Sequence, residues 1–215
     1  MRCWVGMAAA LAAAWVPAFC VHAQDGRVGI REQLPYVDVV HEGKKVRIQR
    51  IQDVQHRLID NWAHTSRPCP PSCIQPLRAA PGIETVAELE LLEFLEQRVK
   101  LGTGVLVDAR APELHRLETI PSAMNIPGAI LRAENPRIEK LLTALGARKR
   151  GARWEFGDAA ELLLFGNGAW SDDSRLAVLA LLDLGYPADK LKYFRGGLQS
   201  WRSLGLTTVV PARAP

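Results

Sequence analysis

Residues 162–166 read Leu-Leu-Leu-Phe-Gly, a short apolar run that predicts a buried strand ending in a tight loop. The loop continues Asn167-Gly168-Ala169-Trp170-Ser171, and after Asp172, Asp173 and Ser174 a helical pattern runs over 175–184. Such a strand–loop–helix junction gathers backbone amides and the positive end of a helix around one point. That setting favours a nucleophilic thiolate or a bound anion. The loop 166–171 holds no cysteine, histidine or lysine. Its hydroxyl, Ser171, needs an adjacent base to act as a nucleophile, and the neighbouring sequence suggests none. Asp172 and Asp173 suit a helix start, yet they oppose the binding of an anion beside them.

The other reactive pair is Cys69-Pro70-Pro71-Ser72-Cys73. Two nearby cysteines in an oxidising compartment read first as a structural disulfide. A small ring of this kind is easily reduced, which leaves a redox or sulfur-carrying role open. Binding of a soft metal such as Cu(I), with His64 nearby, is the weakest of the three readings. His41, His56 and His115 are scattered along the sequence and read as ordinary surface residues.

Elements that alternate between strand and helix must position these groups. Val105-Leu106-Val107 is apolar and mostly β-branched, which suits a buried parallel strand, and Asp108 and Arg110 follow at its C-terminal end. Asp108 is expected to bond loop amides there, and Arg110 to face the loop or pair with Glu113. A helix is predicted after Thr85, with Thr85 as cap, Glu88 completing a capping box, and Leu89, Leu92, Phe94 and Leu95 facing the core. Further helices are predicted over 137–145, 175–184 (ended by Gly185) and 198–204, and strands over 162–165 and 191–194. The basic insertion 148–157 carries a short strand at 154–156. Toward the N-terminus, 36–51 reads as a β-hairpin around a four-residue turn, Glu42-Gly43-Lys44-Lys45, followed by a helix over 53–62. The stretch 65–82 is a proline-rich loop.

Three ordered segments carry a family resemblance: Val105–Arg110, the run Ile120-Pro121-Ser122-Ala123-Met124-Asn125-Ile126-Pro127, and Phe194-Arg195-Gly196-Gly197-Leu198-Gln199-Ser200-Trp201. Together they resemble the rhodanese family of sulfurtransferases from about Ile83 to Leu206. The resemblance implies an α/β fold, a parallel sheet flanked by helices, here with a small hairpin-containing N-terminal extension. It also implies a catalytic cysteine directly after Phe165, where this chain has Gly166. Similar exported proteins show a Cys-Asn-Gly-x-Trp-Cys loop, and Ser171 takes the place of its second cysteine. The family's Gly-His before the Ile-Pro segment is replaced by Glu118 and Thr119, which removes a possible polar partner. Gly196, Gly197 and Trp201 match a Gly-Gly-x-x-x-Trp pattern whose physical use is close packing.

Arg2, the apolar run 7–16 and the small residues near Ala23 form a secretory signal pattern, with cleavage expected after Ala23 and a periplasmic or secreted product. Cys3 and Cys20 fall in that leader. The expected organisation is a leader (1–23), an N-terminal extension (24–81), a rhodanese-like domain (82–206) and a short tail (207–215). A formal charge of +4 without a basic stripe argues against nucleic acid. No cofactor and no metal are expected. The sequence points to a non-catalytic binding or interaction module, with a periplasmic protein or a small anion as partner. The alternative is a sulfurtransferase or thiol-disulfide protein that works through Cys69 and Cys73.

Overall fold

The computed structural model describes residues 28–212, so the expected leader lies outside the described residues. A parallel sheet of five strands forms the centre, in the order β3 (Glu84–Thr85), β9 (Leu191–Phe194), β8 (Glu161–Phe165), β4 (Gly104–Asp108), β5 (Met124–Asn125). The central strand β8 shows why a continuous apolar run is needed. Successive side chains of a strand point to opposite faces. Leu162 and Leu164 therefore enter one core and Leu163 and Phe165 the other, all at most 1% exposed.

The first core packs α4 (Ile138–Ala144) and α5 (Asp173–Asp183) on the sheet through Leu142, Ala177, Val178 and Leu181. The second packs α2 (Glu88–Phe94) and α6 (Gly197–Ser203) through Leu91, Leu92, Leu198 and Trp201. Each fully buried leucine contributes about 1.5–3 kcal/mol by leaving water. The N-terminal hairpin, β1 (Tyr36–His41) with β2 (Lys44–Gln49), adds Val37, Val39 and Ile48 to this second core. The segment 207–212 is held as well: the Thr207 amide donates to Gln49 O, and Thr119 and Val209 bond reciprocally.

Several local expectations are corrected. The hairpin turn has two residues, not four. Glu42 and Gly43 both have positive φ (49° and 75°), the backbone twist that matches a tight hairpin, and Lys44 and Lys45 pair within β2. The helix expected over 53–62 is only one turn, α1 (Asp60–Ala63). Upstream of it Ile51 bonds Gly205 O and Asp53 accepts the Gln55 amide, while Val54 and Ile59 stay exposed, so no apolar face rewards a helix. Thr85 does not cap α2. It lies in β3 opposite Tyr193, and its hydroxyl donates to Leu77 O at 2.7 Å. The cap is Ala87, whose amide donates to the Glu90 carboxylate at 3.0 Å. This start turns Leu91 into the core and leaves Leu89 47% exposed. The insertion forms a hairpin, β6 (Arg148–Arg150) with β7 (Arg153–Glu155), rather than a lone strand. Among the described residues no helix is long and apolar enough to cross a membrane.

Candidate functional site

The loop 166–171 leaves the C-terminal end of β8 and enters α5, which begins at Asp173, two residues earlier than the apolar pattern suggests. It is braced from below by α6. The Leu198 amide donates to Gly166 O at 3.0 Å and the Gln199 amide to Asn167 O at 2.8 Å. This approach explains Gly197. Its φ is +57°, and a Cβ there would stand 2.5 Å from Gly166 O and 2.7 Å from the Gly168 nitrogen. Only glycine tolerates both conditions. Trp201 is fully buried one turn later and donates its indole N–H to Thr207 O at 2.9 Å.

With its carbonyls held, the loop keeps donors in reserve. Among the described residues the amides of Asn167, Gly168, Ala169 and Trp170 have no protein acceptor, whereas the Ser171 amide closes a turn onto Gly168 O at 2.9 Å. At Gly166 the backbone is not in the left-handed region. A Cβ there would lie 3.3 Å from Asp173 Cβ and Ser174 Oγ and 3.4 Å from Ser171 Oγ. A Cβ at this position therefore requires its neighbours to give by a few tenths of an ångström. The position is closely packed, with two hydroxyls and the first turn of α5 around it.

Asp173 supplies the carboxylate that the sequence did not suggest for Ser171, whose hydroxyl donates to Asp173 Oδ2. Burial pushes the Asp173 carboxyl up. The Ser171 hydrogen bond opposes this, while Asp172 and Asp108 nearby raise it further. Two residues apart just before and at the helix start, the pair closes a local side-chain turn, with the Asp173 amide 3.5 Å from Ser171 Oγ. Beside Asp173 a groove of about 720 Å³ opens between α5 and the segment 127–134, lined by Ala109, Pro127, Leu131, Leu176 and Leu184.

Behind the loop lies a saturated polar cradle. Asp108 is fully buried and Arg110 is 1% exposed. The Arg110 amide, Nε and Nη2 donate to Asp108 at 3.1, 2.9 and 2.7 Å. Thr119 Oγ1 donates to Asp108 Oδ2 at 2.8 Å, and His115 Nδ1 lies 3.0 Å from the same oxygen. Burial pushes the Asp108 carboxyl up, but the hydrogen bonds from His115, Arg110 and Thr119 and the guanidinium charge hold it below the usual carboxylate range. Arg110 also donates to Glu118 O, and only its Nη1 reaches the loop, 3.5 Å from Asn167 Oδ1.

These contacts revise four assignments. Arg110 pairs with Asp108, not with Glu113, which bonds Arg116 at the surface. Thr119 does not remove a polar partner but provides one. His115 belongs to the cradle rather than the general surface. His41 is buried: its Nδ1 accepts the Ser122 amide at 3.1 Å, its Nε2 has no partner among the described residues, and burial lowers its pKa below 6.5.

Cys69 and Cys73 form a disulfide. Its segment lies against the loop. The Gln75 amide donates to Ala169 O at 2.8 Å, and the Arg67 guanidinium stacks 3.8 Å from the Trp170 ring centre. Trp170 donates its indole N–H to Gln199, whose own amide reaches Trp62 O. Sequence reasoning missed these contacts because they join residues about a hundred positions apart, with only the aromatic and arginine content as a hint. Among the described residues no group of three or more His, Cys, Asp or Glu is placed to hold a metal ion.

The model of the Rhodanese-like domain family matches residues 91–204, more than half of the chain, and the chain belongs to that family. No curated protein matches the chain. Among solved structures it is similar to a full-length protein from Lactobacillus plantarum (17% identity, 59% of this chain and 88% of the other, TM-score 0.41). It is also similar to a human single-domain sulfurtransferase (25% identity, 55% and 95%, TM-score 0.38). A third match is the rhodanese-like domain of an Anabaena protein (17% identity, 61% and 83%, TM-score 0.41).

Proposed function

We propose that this rhodanese-like protein is a non-catalytic, exported binding module that holds a small anion in the loop 166–171. The observation that carries this reading is the row of four amides, Asn167 to Trp170, that have no protein acceptor among the described residues. They follow Gly166 at the end of β8, where the family resemblance places the cysteine, and Ser171 Oγ and Ser174 Oγ stand beside Gly166. Free amides in a loop that leads into the N-terminus of an eleven-residue helix favour negative charge without any nucleophile. Export is supported by the secretory pattern of the first 23 residues and by a disulfide, which persists in an oxidising compartment. The 720 Å³ groove opens beside Asp173, and neither Arg67 nor Gln75 lines it.

The test is a sulfate titration followed through the amide signals of residues 167–170. Saturable shifts confined to this loop and the start of α5 are expected. Asp173→Asn removes the charge that opposes the anion and is expected to tighten binding. In the parent protein binding also strengthens as pH falls through the raised pKa of Asp173, because the carboxyl is then neutral. Shifts that never saturate, or that appear elsewhere, contradict the reading. A second reading, sulfur or electron transfer through Cys69 and Cys73, is favoured by the contacts that Arg67 and Gln75 make with the loop.

A further inference from the structure

We propose that the Cys69–Cys73 disulfide is a reducible staple on the segment that clamps the loop 166–171, and that its reduction by a dithiol opens the clamp. Two anchors hold the segment to the loop, and they stand two residues outside the disulfide on either side. Arg67 stacks on Trp170 and is itself fixed by donating to Asn61 Oδ1 at 2.8 Å. Gln75 donates to Ala169 O, its carbonyl accepts Arg195 Nη2 at 2.8 Å, and its side-chain amide returns to Cys73 O at 2.9 Å. The disulfide sets the distance between the anchors. The Ser72 amide bonds Pro68 O, just outside the ring, and the Cys73 amide bonds Pro71 O within it. Without the S–S bond, these two backbone hydrogen bonds are what remains, among the described residues, to hold the turn.

The two cysteines are not equally exposed: Cys69 is exposed and Cys73 is half-buried. A thiolate of the dithiol therefore attacks Cys69 Sγ. The Cys69–Cys73 bond breaks, Cys73 leaves as a thiolate and takes up a proton, and a mixed disulfide joins Cys69 to the reductant. The second thiol of the reductant, as thiolate, attacks its own partner sulfur in that bond and releases Cys69, which is protonated in turn. The protein gains two electrons and two protons, and the dithiol becomes a disulfide. Ile74, next to Cys73, is 85% exposed.

The consequence for ligand binding rests on the anion reading proposed above. An opened clamp frees Ala169 and Trp170, so the anion affinity of the loop differs between oxidised and reduced protein. By linkage the anion biases the redox equilibrium to the same extent.

The experiment compares the oxidised protein, the protein reduced with dithiothreitol, and the Cys69→Ser, Cys73→Ser double variant. Hydrogen exchange at the Gln75 amide and sulfate affinity are measured on all three. Exchange at Gln75 is expected to rise severalfold on reduction and in the variant, with the β8 amides unchanged, and sulfate affinity is expected to change with it. Unchanged exchange at Gln75 overturns the staple whatever the anion does. Faster exchange with equal sulfate affinity in all three forms overturns the coupling. Faster exchange with no sulfate binding in any form supports the staple and overturns the anion reading.

Discussion

Two neighbouring regions of this molecule are built on opposite principles. The cradle at Asp108 is made of side chains, and every polar atom of its carboxylate is engaged by Arg110, Thr119 or His115. The loop 166–171 is made of backbone, pinned by α6 through the carbonyls of Gly166 and Asn167 and left with free amides. The cradle has spent its donors on itself and has little to offer a ligand. The loop has kept its donors and lacks only a reactive side chain. Within one site, then, chemistry-bearing residue types mark the rigid support, and the residues with least chemistry mark the place where a ligand fits.

The largest effect is expected from breaking the cradle. Asp108→Asn leaves the buried Arg110 guanidinium without its counter-charge, and removing one partner of a buried pair costs about 3–5 kcal/mol. Chemical denaturation should show this loss, and a destabilisation below about 1 kcal/mol would place Arg110 in a solvated setting that the structure does not show. Gly197→Ala attacks the loop instead. A positive φ and a clash with the loop backbone together are expected to cost about 1–3 kcal/mol and to move the amide signals of residues 166–168. If only the α6 signals move, the brace between α6 and the loop is not what shapes the site.

Much of this arrangement could be read in the sequence because it rests on short-range patterns. The β4 and β8 runs are apolar throughout, and a strand buried on both faces requires that. Gly185 and Gly205 end their helices with positive φ, as their positions suggest. The spacing of Cys69 and Cys73 indicated a disulfide, and the Gly196-Gly197 pair indicated close packing. What the sequence hid depends on distance. Thr119, His115 and His41 acquire their roles only when β4, α3 (Pro112–Leu117) and the hairpin meet. The start of α2 moved because sheet pairing with Tyr193 and a bond to Leu77 O occupy Thr85. The clamp of 67–75 on the loop has no local periodicity at all.

The smallest effect sharpens the comparison from the hairpin side. His41 is buried, and its pKa is lowered by that burial. The unfolded chain therefore takes up a proton near pH 6.5, before the folded one does. Stability is full above pH 6.5 and falls as pH drops toward the lowered value. Protonation would also end the acceptance of the Ser122 amide. His41→Phe is expected to flatten this part of the stability profile between pH 7 and pH 5. An identical slope in the variant would assign the titration to another group.

The central claim is that the loop has the shape to hold an anion and lacks a nucleophile. Intact mass after incubation with thiosulfate tests it most directly, on the reduced parent protein and on Gly166→Cys. The account predicts that the parent takes up no sulfur, and that the variant gains one sulfur atom at residue 166, because the loop amides stabilise its thiolate. Sulfur uptake by the parent at Cys69 or Cys73, or no uptake by the variant, would contradict it.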